Sequence, residues 1–139
     1  MMIKRILNSI ETILSTISGV RYIDIDWGQG DSERVAVKMP CALIDVKEIN
    51  KDYRAVGIVQ GRKCTVEIRV IDINTTNTSA GAPQGQKEVY YAYLDLVERI
   101  EGAVSGAEGN RFVFEGLNRV VREDHLREMV IRYSISWRE

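Results

Sequence analysis

His125 is the only histidine in the chain, and it stands in the charged run Arg122-Glu123-Asp124-His125. A general base needs a nucleophile to serve, and no serine or cysteine here sits in a Gly-x-Ser-x-Gly or Cys-His setting. The reading is a solvated loop histidine. Asp24, Asp26 and Asp31 bring three carboxylates close together, enough oxygen to attract a divalent ion. Their spacing does not follow a calcium loop, so a wet strand face is expected instead. Gly28-Gln29-Gly30 lacks the further glycine and helix of a dinucleotide site, and the stretch from Gly57 to Gly61 lacks the Lys-Ser/Thr pair of a phosphate loop. Cys41 and Cys64 form no Cys-x-x-Cys pair. Both lie in apolar stretches and are expected as buried small hydrophobes in a reducing compartment. These residues give no positive evidence for an enzyme, and no catalytic set, cofactor or metal is expected from them.

Binding chemistry is equally sparse. Arg62-Lys63 and the Arg119/Arg122 pair are small basic clusters with acids beside them. Tyr90, Tyr91 and Tyr93 diverge on a helix, which favours packing over base stacking. The 139 residues carry 20 acidic and 19 basic side chains, a formal charge of −1. Counterion release on a duplex needs a basic field, so direct sequence-specific nucleic-acid binding is not expected. The length suits one domain, 1–139, with a core large enough to need no staple. Polar residues interrupt every apolar run after Met1-Met2-Ile3-Lys4-Arg5, so neither a signal peptide nor a membrane span is expected.

The elements that must position these groups are readable from periodicity. Ile3, Ile6, Leu7, Ile10, Ile13, Leu14 and Ile17 form a helical stripe that Gly19 ends. From Val20 the period changes to two, with Ile23, Ile25 and Trp27 on one side and Tyr22, Asp24 and Asp26 on the other. An extended stretch from Val35 to Val46 contains Pro40, which confines it to a strand start, an edge or a bulge. Asn50-Lys51-Asp52 reads as a connection, after which strand can resume near Ala55 to Val59. Cys64, Val66, Ile68 and Val70 alternate with Thr65, Glu67, Arg69 and Ile71, the pattern of an antiparallel strand with one face in a core. The uncharged run from Asn74 to Gln86 is long for a loop and is expected to be flexible. A second helix is expected over Lys87 to Ala103, with Val89, Tyr93, Leu96, Val97 and Ile100 inward. Phe112-Val113-Phe114 is short and extended, and Met129 to Trp137 alternates again as a last strand. This order predicts an α+β fold, a mostly antiparallel sheet with two amphipathic helices packed on one face.

The order also carries a resemblance. An amphipathic first helix, Met39-Pro40-Cys41-Ala42-Leu43-Ile44, the long strand Cys64-Thr65-Val66-Glu67-Ile68-Arg69-Val70, a polar loop, a second helix, Arg119-Val120-Val121-Arg122-Glu123-Asp124 and a closing strand follow one another. Over nearly the whole chain this resembles the tail-terminator proteins of long-tailed bacteriophages, the lambda minor-tail-protein type, and their prophage relatives. The resemblance implies a structural protein: a ring of six copies that caps the tail tube and joins it to the head connector. It implies no enzyme activity and no cofactor. Its partners would be further copies of itself, the tail-tube protein and a head-connector protein, with no membrane. Its place would be the virion tail or neck, after assembly in the host cytoplasm. Leu43 and Ile71 are apolar on faces expected to be wet, which points to association. Interface residues are sought in the polar loop, at Asn74, Asn77 and Gln84, and in the charged segment, at Arg119, Arg122 and Glu123. The competing class is a small α+β ligand-binding or enzymatic domain.

Overall fold

The computed structural model describes residues 2–32, 35–55, 58–74, 81, 84–109 and 111–137. The apolar stripe at the start forms α1 (Met2–Ser15), and Gly19, at φ 102°, turns the chain beyond it. The strands are β1 (Tyr22–Ile25), β2 (Cys41–Ala55), β3 (Ile58–Ile73), β4 (Val113–Val120) and β5 (Leu126–Trp137), and α2 spans Gln84–Ser105 between β3 and β4. The five strands form one sheet in the order β1-β2-β3-β5-β4. Only the β1–β2 pair is parallel. The other three pairs are antiparallel, so the fold is α+β with a mostly antiparallel sheet.

Both helices cover the same face. Ile6, Ile10 and Leu14 of α1 and Tyr93, Leu96, Val97, Ile100 and Val104 of α2 pack on Ala42, Ile44, Val66, Ile68, Val70, Ile131, Tyr133 and Ile135. The helical and period-two patterns thus meet in one core. Two buried tyrosines pin α2 to the sheet: Tyr93 donates its hydroxyl to the Val70 carbonyl at 2.8 Å, and Tyr133 donates to that of Glu101 at 2.9 Å. At the far end of α1, Ser9 and Arg5 both donate to the Glu108 carboxylate.

Several expectations are corrected. Asn50-Lys51-Asp52 is not a connection but the continuing β2, paired with Lys63, Arg62 and Gly61 of β3. Cross-strand pairing there outweighs the poor strand propensity of asparagine and aspartate. The strand expected from Val35 begins only at Cys41, because Pro40 has no N–H and its carbonyl is taken by the Arg21 N–H at 2.8 Å. Helix α2 starts at Gln84, and Val89 lies exposed, off the buried stripe. Of Ile23, Ile25 and Trp27, only Ile23 packs against the core; β1 stops at Ile25, and Trp27 is 71% exposed. Of the short extended piece expected at Phe112–Phe114, Phe112 precedes the strand, and Val113 starts eight residues of β4 that continue past an irregularity at Phe114/Gly116.

The largest correction concerns the face opposite the helices. Leu43 and Ile71 are fully buried, forming with Cys41 a second small core under Tyr22, Val37, Met39 and Leu126. The irregular chain after β1 folds back over them. Gly30 touches them so closely that an added Cβ would stand 2.8 Å from Ile71 Cδ1 and 3.1 Å from Leu43 Cδ1. Leu43 and Ile71 therefore give no support to an association surface. No helix among the described residues is long and apolar enough to cross a membrane.

Candidate functional site

Chemistry-bearing side chains gather at one end of the sheet. Arg69 projects from β3 on the face away from the helices, and its guanidinium is bidentate to Glu128 at 3.1 and 2.8 Å. It also reaches Asp31 at 3.0 and 2.7 Å and Asp26 at 3.2 Å. Arg122 adds a second fork: Asp124 at 2.9 and 2.6 Å, Glu128 at 2.7 Å and the Gly30 carbonyl at 2.6 Å. Two arginines thus share Glu128, whose side chain is nearly inaccessible. Burial works against the Arg69 charge, but its bonds to Glu128 and Asp31 more than compensate and raise its pKa. The bond to Asp124 raises Arg122, while Arg69 lowers Asp31 and Arg122 lowers Asp124. The network straps the turn after β1 across the small second core. The expected wet strand face of Asp24, Asp26 and Asp31 is in fact this strap for two of them. Asp24 instead accepts from Tyr22, Trp27 and Gln29, with Tyr22 the main cause of its lowered pKa.

Beside the network lies a groove of about 370 Å³ between the first turns of α2 and the ends of β4 and β5. Its cations are Lys87, Arg119, Arg122 and Arg127, and its apolar wall is built by Tyr90, Tyr91, Val120, Val121 and Leu126. Among the described residues Glu128 is the lone carboxylate in the lining, and both arginine forks already use it. Arg127 stacks its guanidinium 5.0 Å from the Tyr90 ring and 5.6 Å from the Tyr93 ring. The start of a 22-residue helix adds partial positive charge to this corner. The groove is suited to an acidic or aromatic side chain.

The structure brings three of the six expected interface residues, Asn74, Arg119 and Arg122, to this groove. Arg119 is exposed and makes no ion pair among the described residues, whereas Arg122 is 10% exposed and committed to the strap. Glu123 is exposed in the turn after β4, and Gln84 is exposed as the first residue of α2. Asn77 and most of the polar loop lie outside the described residues. Asn74 donates its N–H to the His125 carbonyl at 2.6 Å, and the His125 side chain is exposed. Cys41 and Cys64 are buried and free, and burial pushes both thiols up to about 11.

Sequence reasoning missed Arg69, Glu128, Lys87 and Arg127. The available signal for the first two was an arginine and a glutamate at strand positions facing away from the helices, with two aspartates, Asp26 and Asp31, in a nearby turn. Among the described residues no group of histidines, cysteines and carboxylates is arranged to hold a metal. No protein-family model matches the chain, and no curated protein is similar enough to count as a relative.

Proposed function

We propose that this chain is a structural subunit of tail assembly in a long-tailed phage or prophage, closing the tail tube as a ring and joining it to the head connector. The ring would hold six copies, act without cofactor or catalysis, assemble in the host cytoplasm and remain in the virion neck. One observation supports this reading above the others. β4 is the outermost strand at its end of the sheet, and Val113, Phe114, Leu117 and Val120 are all exposed on it. An edge of that length and apolarity is a liability unless another chain covers it. A near-zero formal charge leaves little self-repulsion to oppose close packing of copies. Exposed Arg119 near the end of the same strand and exposed Glu123 in the turn after it can set register between subunits.

The second reading, a small ligand-binding domain, draws on the cationic groove. Complementation separates the two. In an assembly extract lacking this protein, tubes should overgrow and fail to join heads, and adding the purified chain should restore tails of uniform length on electron-microscope grids. Tails that finish and join heads equally well without it would end the assembly reading.

A further inference from the structure

We infer that the cationic groove of one copy receives the Trp27 corner of the next, so that chains join head to tail with the β4 end of one sheet against the β1 end of its neighbour. This contact rests on the ring reading and gives it a specific interface. Its first support is position. Asp24, which holds Trp27 Nε1, pairs in turn with Leu43, Arg69, Val130 and Asn118 across the sheet, so the anchor of the Trp27 corner and the part of β4 next to Arg119 lie in one row at opposite edges. The second is direction. β1 parallels β2, and each later neighbour reverses, so β4 runs opposite to β1. Rotating a copy about an axis along the strands brings these edges together antiparallel, with the helices kept on one side. That is a heterologous contact able to close.

The third support is complementarity. Trp27 is 71% exposed beside exposed Ile25, and its Nε1 donates to Asp24 at 3.1 Å. The other side-chain donors to Asp24, Tyr22 and Gln29, are also neutral, so its charge is uncompensated by any cation among the described residues. The groove offers the opposite charge in exposed Arg119, which makes no ion pair among the described residues, with aromatic walls and Val121 at 79% exposure beside it. A tryptophan against cations and apolar walls is a familiar anchor of protein interfaces. Two grooves facing each other through paired β4 edges would instead set like charges together, which disfavours the two-fold alternative.

Cross-linking tests this contact on the full chain. Ile25→Cys and Val121→Cys place thiols beside the anchor and the groove without touching Trp27, and the native cysteines are buried. With a short bismaleimide, a mixture of the two variants should link into heterodimers, and Trp27→Ala should lower that rate roughly tenfold or more. Arg119→Glu should lower it as well. No heterodimer, a rate indifferent to Trp27→Ala, or Val121→Cys linking to itself equally fast would overturn the contact. The double-cysteine chain separates this from the ring reading. A ladder ending in a closed species supports both, whereas an open ladder keeps the contact and removes the ring. A ring seen by native mass spectrometry in chains that do not link keeps the ring and removes the contact.

Discussion

The two ends of the sheet are finished differently. At the end of β1 and in the turn after it, local side chains take backbone donors: Asp24 accepts from the Ile25 N–H at 2.8 Å, Gln29 from Trp27 at 2.8 Å and Asp26 from Gly28 at 3.0 Å. The strand is four residues long, and the Arg69–Arg122 strap holds down the turn that follows it. At β4, eight residues form the edge, no side chain caps their N–H groups among the described residues, and most are exposed. Capping and shortness block strand addition at β1, while β4 stays open to it. Association through β1 must therefore run through side chains such as Trp27, whereas β4 can offer both backbone and groove.

The strap is where this contrast breaks most severely. Arg69→Ala leaves Asp26 without its cation and Glu128, nearly inaccessible, with Arg122 alone. Removing one partner of a buried ion network costs about 3 kcal/mol or more, which urea denaturation should register. Unchanged stability would mean that the turn seals β1 without the strap. Next is Gly30→Ala, whose new methyl must displace the tips of Ile71 and Leu43. Overpacking of this kind costs about 1–2 kcal/mol, read in the same titration.

Why one end was legible and the other was not follows from range. Alternation at Cys64–Val70 and the α1 stripe announce themselves because the pattern lies within a single element. The cover over Leu43 and Ile71 has no period, since the described residues at 26–32 and 35–40 include no strand and only one short helical turn, and so those two read as exposed. Arg69 and Glu128 are 59 positions apart, a pairing that no local window contains. Upper β2 was lost because Asn50, Lys51 and Asp52 are strand only through β3. Asn74, Arg119 and Arg122 were singled out for loop length and charge, yet it is the fold that gathers them at one groove with Lys87 and Arg127.

The pH dependence of stability offers a milder way to loosen the sealed end. Hydrogen bonds from Arg69 and Arg122 hold Asp31 and Asp124 below the ordinary carboxylate value of 3.8. A carboxyl lowered in the folded state stabilises above its unfolded value, and the gain is lost as pH falls through the folded value. Melting temperature should therefore stay nearly level from about pH 7 to 5 and decline below about pH 4. Both side chains are well exposed, so solvent screening keeps their share small. Asp31→Asn should shallow the acid decline, and an identical decline in that variant would place the acid sensitivity elsewhere.

The open end should show the smallest effect on the folded chain and the clearest one on association. Leu117→Lys adds a charge to β4 at a position already 39% exposed, opposite Ile131 in the ladder. An exposed substitution of this kind stays within about 0.5 kcal/mol, so urea titration should scarcely move. If β4 is simply a solvated edge, light scattering across a concentration series should not move either. If a second copy covers it, the lysine must be buried or turned aside at the contact, and the mean mass at high concentration should fall toward that of the single chain. Trp27→Ala should produce the same fall from the opposite edge, because in a head-to-tail contact each edge is covered only by the other. A fall with Leu117→Lys but not with Trp27→Ala would mean that β4 pairs with something other than the β1 corner. The contrast between the two ends would then stand, but the contact joining them would not.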